Sequence, residues 1–563
     1  MLKQISKFFQ ANRILIPILI LAAILRFSWI SDIPPSLNWD EISHGYNAYS
    51  ILKTGKDEWG KSFPIIFKAY GDYKLPVYIY LTSLSEFLFG LNTFAVRLPS
   101  TLAGITTVIF AFLLAKKLFN GKVAVMASLL VAIEPWSLFL SRGAFEANLS
   151  LAFIVSGVYF FLIGLERNKF LPVSAVLLGL SVWTYNSARV FVPLLSVVLG
   201  FLYKKEIFDL WKKDKKRLVF CTLTLALFLI PMFWQLFNPV GQARYGWVTI
   251  LDEGTITQIN EARLVSDLPG ILPRFIHNKP VYFAKSFLTN YFSHFSLDFL
   301  FLKGGSHFQF SIPNHGLLYL INLPFFLLGL GILLVKFKKR SSQLIIAWFL
   351  LAPVASSFTR ETPHVLRSIV FLPMPQIISA VGLVSSFIWI KKRLKGSGIF
   401  LIGAYLFILL FQIESYGQDV ALVYREKYSW AWQYGYEEVV FYAKEHYSEY
   451  DKIIVTKKYG EPHEFFLFYW PWDPEKFQND PNLIRFYQSN WYWVDRFDKF
   501  YFVNDWDIPD EGVDFKLESG GEFSCVDKEC LLVTSPENSP EGWSKLQTIN
   551  FLDREPAFEV YEN

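Results

Sequence analysis

Cysteine is scarce, with three among 563 residues, too few for a disulfide scaffold. Cys221 lies inside an apolar run and reads as an inert packing residue. Cys525 and Cys530 are close enough in sequence to bridge if their segment faces an oxidising compartment. Charge is also scarce, at 18% of residues, and few charges fall inside the long apolar runs. That argues against a proton- or ion-coupled transporter, which would place carboxylates or basic groups near the membrane midplane. Internal repeats and low-complexity tracts are absent. No small-residue cleavage site follows the first apolar run, Ile14 to Ile30, which is long enough to span a membrane and is not read as a cleaved signal.

What is abundant is apolar surface. The chain is 53% hydrophobic and 18% aromatic, with a mean hydropathy of +0.30, a composition that points to a multi-spanning membrane protein with interfacial Trp and Tyr. The net charge of +5 hides an asymmetry. From Glu414 onward 14 Lys and Arg stand against 30 Asp and Glu, while the remainder carries 40 against 19. The basic residues bunch between apolar runs, as cytoplasmic loops do, and form no nucleic-acid patch.

Apolar runs of spanning length begin near Ile14, Leu98, Val123, Leu149, Leu171, Val190, Leu218, Leu317, Leu344, Ile369 and Ile399. A twelfth stretch, Pro76 to Leu91, is resolved by loop charge. Basic clusters stand at Lys3/Lys7/Arg13, Lys116/Lys117/Lys122, Arg167/Lys169, 204–217, 336–340 and 391–395. All six share the side of the N-terminus only if Pro76–Leu91 does not cross. Thr82, Ser83 and Glu86 fall on one helical face of that stretch, which fits an interfacial helix.

The expected fold is therefore an all-α polytopic membrane domain over 1–415, with about eleven transmembrane helices, an interfacial helix and a first outer loop at 31–97. A small acidic extracytoplasmic α/β domain is expected over 416–563. The N-terminus would lie inside and the C-terminal domain outside the cytoplasmic membrane. In the tail, Asp451–Thr456 and Glu464–Tyr469 read as strands and Glu437–Tyr447 as an amphipathic helix.

This topology gathers candidate residues on the outer side. Arg26, Glu134 and Arg189 sit at outer span ends and read as the rim of an extracytoplasmic cavity; for Arg26, outward snorkelling is the alternative to phosphate binding. Asp40-Glu41, followed by His44 and Tyr46, has two readings. One is a helix cap with a first-turn acid. The other is a general base for an acceptor hydroxyl, with its neighbour holding a second group. Thr359 to Arg367 packs Arg360, His364 and Arg367 into one short outer loop. Residues 242–247 and 313–316 could close over a substrate or anchor at the surface. Tyr469-Trp470-Pro471-Trp472 reads as core more readily than as a sugar-stacking platform.

The order of these motifs resembles the GT-C membrane glycosyltransferases, in the branch of the protein O-mannosyltransferases and lipid A aminoarabinose transferases. Asp40-Glu41 stands in the first outer loop, Gly71-Asp72-Tyr73-Lys74-Leu75-Pro76 opens the interfacial helix, and Val96-Arg97-Leu98-Pro99-Ser100 begins the second span. Ser141-Arg142-Gly143-Ala144-Phe145-Glu146 follows, with Glu146 where the family more often has Asp, and Lys74-Leu75-Pro76 replaces a Lys-Pro-Pro run. The resemblance covers roughly 10–415 and leaves the tail unassigned.

It implies an enzyme moving a sugar from a polyprenyl-phosphate donor to an acceptor hydroxyl of a glycan, lipid or protein. Inversion is expected, with Asp40 as base and Glu41 beside it. Lys74, Arg142 and Arg367 are the candidates for the donor phosphate. His44, Tyr46, Arg360 and His364 are candidate substrate contacts. No cofactor is assigned and metal dependence stays open: Asp40 and Glu146 could share a divalent cation through oxygen ligands, with an ordinary loop carboxylate as the alternative for Glu146. The competing function is a transporter or flippase of lipid-linked sugars.

Overall fold

The computed structural model describes residues 12–235, 237, 238, 246, 248–393, 398–489 and 491–563. Lys3, Lys7, Lys395, residues 242–245 and Trp247, used above, lie outside the described residues. Contacts divide the chain into two units. One comprises Met1–Ser28, Ser100–Ser141 and Phe145–Gly417; the other comprises Trp29–Pro99, Arg142–Ala144 and Gln418–Asn563. The first loop thus shares a unit with the tail, whereas the sequence reading kept it with the membrane helices.

The first unit is helical, and the chain is a multi-pass membrane protein. A helix occupies each of the eleven expected places. Among the described residues, five are long and apolar enough to cross by length and composition: Thr93–Leu118, Glu146–Gly164, Lys215–Gln235, Ile369–Arg393 and Gly398–Lys427. Others are shorter. Leu15–Phe27 has 13 residues, about 20 Å at about 1.5 Å per residue, against a hydrocarbon core of about 30 Å. The run beginning near Val123 is broken at Glu134: Gly121–Ile133 ends there and Pro135 starts a new helix, Pro135–Leu140.

Three buried charged groups inside this unit are held by neighbouring protein groups. Arg26 is fully buried and donates to the carbonyls of Ala132 (2.9 Å) and Val131 (3.1 Å) and to Ser137 Oγ (3.1 Å). It neither snorkels nor stands on a rim; it caps the broken helix end. Glu134 accepts from Asn322 Nδ2 and Gln376 Nε2, both at 2.8 Å, and Tyr405 bonds Asn322 in turn. Arg189 donates to Val182 O and Gln235 Oε1. These three residues were expected at a cavity rim, but each is held by protein groups within the helical unit. Helices Leu323–Val335 and Met374–Arg393 meet backbone to backbone through glycine. A Cβ on Gly329 would lie 1.9 Å from Ile378 O, and one on Gly382 1.9 Å from Phe325 O. Cys221 is free and buried beside Leu171, Ala175 and Leu210.

The second unit is built on a mixed seven-stranded sheet of order β10-β11-β9-β3-β6-β5-β4. Its strands are β3 (Lys452–Thr456), β4 (Ile484–Gln488), β5 (Trp491–Phe497), β6 (Phe500–Val503), β9 (Cys530–Thr534), β10 (Ser544–Asn550) and β11 (Pro556–Glu562). Two hairpins, β1 (Phe67–Ala69) with β2 (Asp72–Lys74) and β7 (Asp514–Lys516) with β8 (Glu522–Ser524), stand apart from it. Central β3 runs parallel to both β6 and β9, and its Ile453, Ile454 and Val455 are fully buried, as a strand covered on both faces requires. The expected helix at 437–447 is present as Tyr436–Glu445. The segment 464–469, expected to be a strand, is instead the helix Pro462–Tyr469. A short unbroken apolar run fits either state, and Pro462 at the first turn favours the helix. Cys525 and Cys530 are bridged. Trp470 and Trp472 are half-buried and pack edge-on against buried Phe500.

The first loop packs into this sheet unit. Its helix Trp39–Thr54 approaches Pro462–Tyr469 so closely that a Cβ on Gly45 would stand 2.5 Å from the Phe468 ring. Gly460, at φ +99°, leaves room for Trp39, whose ring a Cβ there would meet at 2.3 Å. Tyr492 N–H donates to Tyr70 O, and Gln478 Nε2 to Asp57 O. The helix Pro76–Phe89 buries Tyr78, Thr82, Ser83, Ser85 and Glu86 while exposing Leu84, Phe87, Leu88 and Phe89. Its polar side faces inward and its apolar side outward, an arrangement suited to a lipid interface.

Candidate active site

The two adjacent carboxylates at the start of the Trp39–Thr54 helix have different fates. Asn38 is the N-cap, and Glu41, three residues on, completes a capping box with it. Glu41 Oε1 accepts from Arg97 Nε (3.0 Å) and Ala144 N (2.7 Å); its Oε2 accepts from Asn38 N and one Arg97 terminal nitrogen, both at 3.1 Å. Four donors fill the carboxylate's capacity. Arg97, fully buried, spends its remaining donors on the carbonyls of Ile30, Pro34 and Ser36. Both sides of this bidentate pair are saturated, so Glu41 has no lone pair left for a substrate proton. Paired above with Asp40 as a catalytic candidate, Glu41 takes a framework position here.

Asp40 points elsewhere. Its side chain is 46% exposed, and Oδ1 lies 2.5 Å from Lys74 Nζ, whose own side chain is 7% exposed. Lys74 is brought there by the β1–β2 hairpin, in which it pairs with Phe67, and by Pro76 opening the next helix. An exposed carboxylate backed by a buried ammonium can accept a proton and keep a compensating charge beside it.

His44 follows Asp40 by four residues, on the same helical face. It is 1% exposed, and among the described residues neither ring nitrogen has a hydrogen-bond partner. Burial, and then the Lys74 charge, push its pKa down to about 4, so the ring is neutral at pH 7. It lies 5.1 Å from the Tyr78 ring. Tyr46, expected to contact substrate, is fully buried and donates to Trp472 O at 3.3 Å; its environment is packing. Arg142 donates to Ile33 O and Trp29 O, both at 3.1 Å, and so ties down the start of the first loop.

The helical unit holds the remaining candidates. Glu146 is the first residue of helix Glu146–Gly164, where a carboxylate complements the helix dipole. Arg367 donates to Thr359 Oγ1 and Glu361 Oε2, both at 2.9 Å. His364 is buried, accepts the Arg367 N–H at Nδ1 and lies 5.2 Å from the Phe310 ring. Arg360 pairs with Asp252. Among the described residues, no group of three or more His, Cys, Asp or Glu is arranged to hold a metal ion.

Comparison with known proteins agrees with this architecture. The family described as Dolichyl-phosphate-mannose-protein mannosyltransferase matches residues 73–234. Among solved structures, ArnT from Cupriavidus metallidurans in the apo state matches with a TM-score of 0.55 at 12% identity, covering 98% of each chain. The chain resembles the GT-C membrane glycosyltransferases of the ArnT and protein-mannosyltransferase branch. ArnT bound to undecaprenyl phosphate matches at 0.51, with 13% identity and 97% coverage of both chains. The AglB oligosaccharyltransferase from Archaeoglobus fulgidus, in complex with an inhibitory peptide and a dolichol-phosphate, matches at 0.48 with 13% identity; 82% of this chain aligns to 63% of that one. The present chain thus spans less than two thirds of that protein's length. No curated protein sequence matches.

Several buried charged residues of the second unit were not singled out for a role by sequence reasoning. Arg97 was quoted within a motif but given no role, although a lone Arg between apolar residues at a span start is a signal for a buried ion pair. Glu58, Glu461, His463 and Glu464 were missed altogether. The run Glu461-Pro-His-Glu464 places three titratable groups in four residues, a density that could have flagged it.

Proposed function

We propose that this protein is an inverting membrane glycosyltransferase that uses a polyprenyl-phosphate sugar and acts on the outer face of the cytoplasmic membrane. The observation that carries the reading is the half-exposed Asp40 held 2.5 Å from buried Lys74, at the start of a helix locked by the Glu41–Arg97 pair. In this reading Asp40 takes the proton of an acceptor hydroxyl. The hydroxyl oxygen forms its bond to the anomeric carbon from the face opposite the phosphate. The anomeric carbon–oxygen bond breaks, and its electron pair leaves with the lipid phosphate. A single displacement inverts the anomeric centre, by the logic that governs inverting glycosidases. The phosphate is already a competent leaving group, so no acid is needed; cationic donors suffice. Lys74 is the first candidate for that role, with Arg142, of the same unit, as a further one.

The bridged Cys525–Cys530 pair supports an oxidising, extracytoplasmic location for the tail. So does the positive charge of the loops on the opposite side.

The test supplies membranes containing the full chain with a labelled polyprenyl-phosphate sugar. Wild type is expected to cleave the donor and label an acceptor, and Asp40→Asn to lose transfer by about 10²- to 10⁴-fold while remaining folded in the membrane. Full transfer by that variant would remove Asp40 as the base. Movement of intact donor without bond cleavage would identify a flippase instead. A cysteine placed at Glu146 should react with an impermeant thiol label added from outside, and protection would overturn the topology.

A further inference from the structure

Three carboxyl groups converge inside the second unit with no Lys or Arg ion pair among the described residues. Glu58 comes from the first loop, and Glu461 and Glu464 flank the start of the Pro462–Tyr469 helix; all are at most 1% exposed. Glu58 is well supplied: Tyr492 donates its hydroxyl to Oε1 at 2.6 Å, and Asn47 Nδ2 donates to Oε2 at 3.3 Å. The Glu58 N–H returns a bond to Asn47 Oδ1 at 3.2 Å, and Arg485 donates to the Glu58 carbonyl at 3.0 Å. Glu464 is the reverse. No N–H or O–H of the described residues reaches either of its oxygens, and the group it does meet at hydrogen-bond range is the Glu58 carboxyl. Two carboxyls in contact without a donor between them repel unless one carries a proton.

We propose that Glu464 is a positioning residue for the transfer reaction: sharing one proton with Glu58, it clamps the C-terminal domain onto the first loop and, through Asn47, holds the helix that presents Asp40. Asn47 lies two turns beyond Asp40 on the Trp39–Thr54 helix, so the bond from Glu58 fixes the same rigid element that carries the base. This gives the tail a role in a reaction whose other parts come from the first loop. It rests on the functional reading above only for its link to transfer.

The groups around the pair agree with a neutral Glu464. Glu461 and His463 flank it on its own helix and Arg485 approaches from β4. Lys457 follows β3, Tyr492 lies on β5, and Tyr46 and Tyr70 belong to the first loop. Lys457 is engaged by Asp495 and Glu518 and does not pair with Glu464. His463 stands 3.6 Å from Glu461 and 3.9 Å from Glu464, and burial lowers its pKa far below the usual value, so it brings no charge. Burial first, and then the Glu58 charge, hold the Glu464 carboxyl well above the usual carboxylate range.

The test uses the full chain in lipid nanodiscs at pH 6 to 10. Hydrogen exchange of the Trp39–Thr54 helix and the melting temperature are measured at each pH for wild type, Glu464→Gln and Glu464→Ala. Wild type is expected to exchange faster in that helix and to melt earlier as pH rises, because the shared proton is lost. Glu464→Gln supplies an N–H to Glu58 at every pH, so its alkaline loosening should be clearly smaller when variants are compared at the same pH. Glu464→Ala should melt earlier throughout. Equal alkaline exchange in wild type and Glu464→Gln would overturn the proposal. In the transfer assay, Glu464→Gln should extend the alkaline limb of the pH profile; an unshifted limb with a flattened melting profile would reduce Glu464 to a structural role. Absence of transfer in every variant counts against the enzyme reading, while the exchange data still decide the clamp.

Discussion

Two acidic groups in the same unit are stabilised by opposite means. At Asp40–Glu41 each carboxylate is met by a cation, Lys74 for one and Arg97 for the other. At Glu58–Glu461–Glu464 no Lys or Arg pairs with the carboxyls among the described residues, and Glu461 and Glu464 are held toward the neutral form. The difference shows where charge is wanted. A base must be ionised and reachable before reaction, so Asp40 remains exposed; a clamp need only be neutral and buried.

The largest effect should come from breaking the first arrangement. Arg97→Met leaves Glu41 buried with two of its four donors gone, and removing one partner of a buried pair costs about 3–5 kcal/mol. We expect loss of most folded protein, read as a large drop in melting temperature in detergent. A variant that melts within a degree or two of wild type would show that the pair is not the anchor of the first loop.

The second arrangement should break with pH rather than by truncation. Burial raises Glu461 to about 8, although Trp491 Nε1 donates to it. The folded state therefore holds a proton that the unfolded chain releases near the ordinary Glu value. Stability is fully present below about 4.5, the ordinary Glu value, and is lost as pH climbs to about 8, at roughly 1.4 kcal/mol per pH unit for one retained proton. Glu461→Gln should flatten that decline, measured as melting temperature against pH; an unchanged slope would assign the alkaline sensitivity elsewhere.

A smaller effect probes the contact between the two halves of this unit. Gly460→Ala adds a methyl at φ +99° and 2.3 Å from the Trp39 ring. Strain and overpacking together predict a loss of about 1–3 kcal/mol, with faster proteolysis of the first loop as the readout. A neutral result would mean that Trp39 can move aside.

Much of this could be read in the chain, and the reason it stops is physical. Helices at the eleven apolar runs, β3 and the helix at 436–445 follow from local pattern, whereas Asp40 and Lys74 were singled out by loop-charge topology and the family resemblance. The helix at 462–469 did not, because its run of buried Phe has no period to separate helix from strand. Arg26, Glu134 and Arg189 were placed at a rim because sequence shows where a charge lies along a span but not which carbonyls or amides turn toward it. The Glu58–Tyr492 bond joins residues 434 positions apart, and no local signal carries a contact of that separation. The same limit hid the partnership of the first loop with the tail.

The smallest expected change in stability sharpens the contrast most. Asp40→Asn keeps an oxygen for Lys74 and alters a pair whose carboxylate is half exposed, so it should cost far less than breaking the fully buried Glu41–Arg97 pair. Its melting temperature should hardly move. Glu41→Gln, one residue away, replaces an acceptor by a donor facing Arg97 and backbone N–H groups, and should melt far earlier. If Asp40 is the base, transfer and stability then separate at these neighbours: Asp40→Asn is folded and inactive, while Glu41→Gln loses activity only in proportion to the folded protein it loses. Equal destabilisation of the two would mean that Asp40 is also framework. The exposure that marks it as the reactive carboxylate would then have to be explained by something other than a substrate.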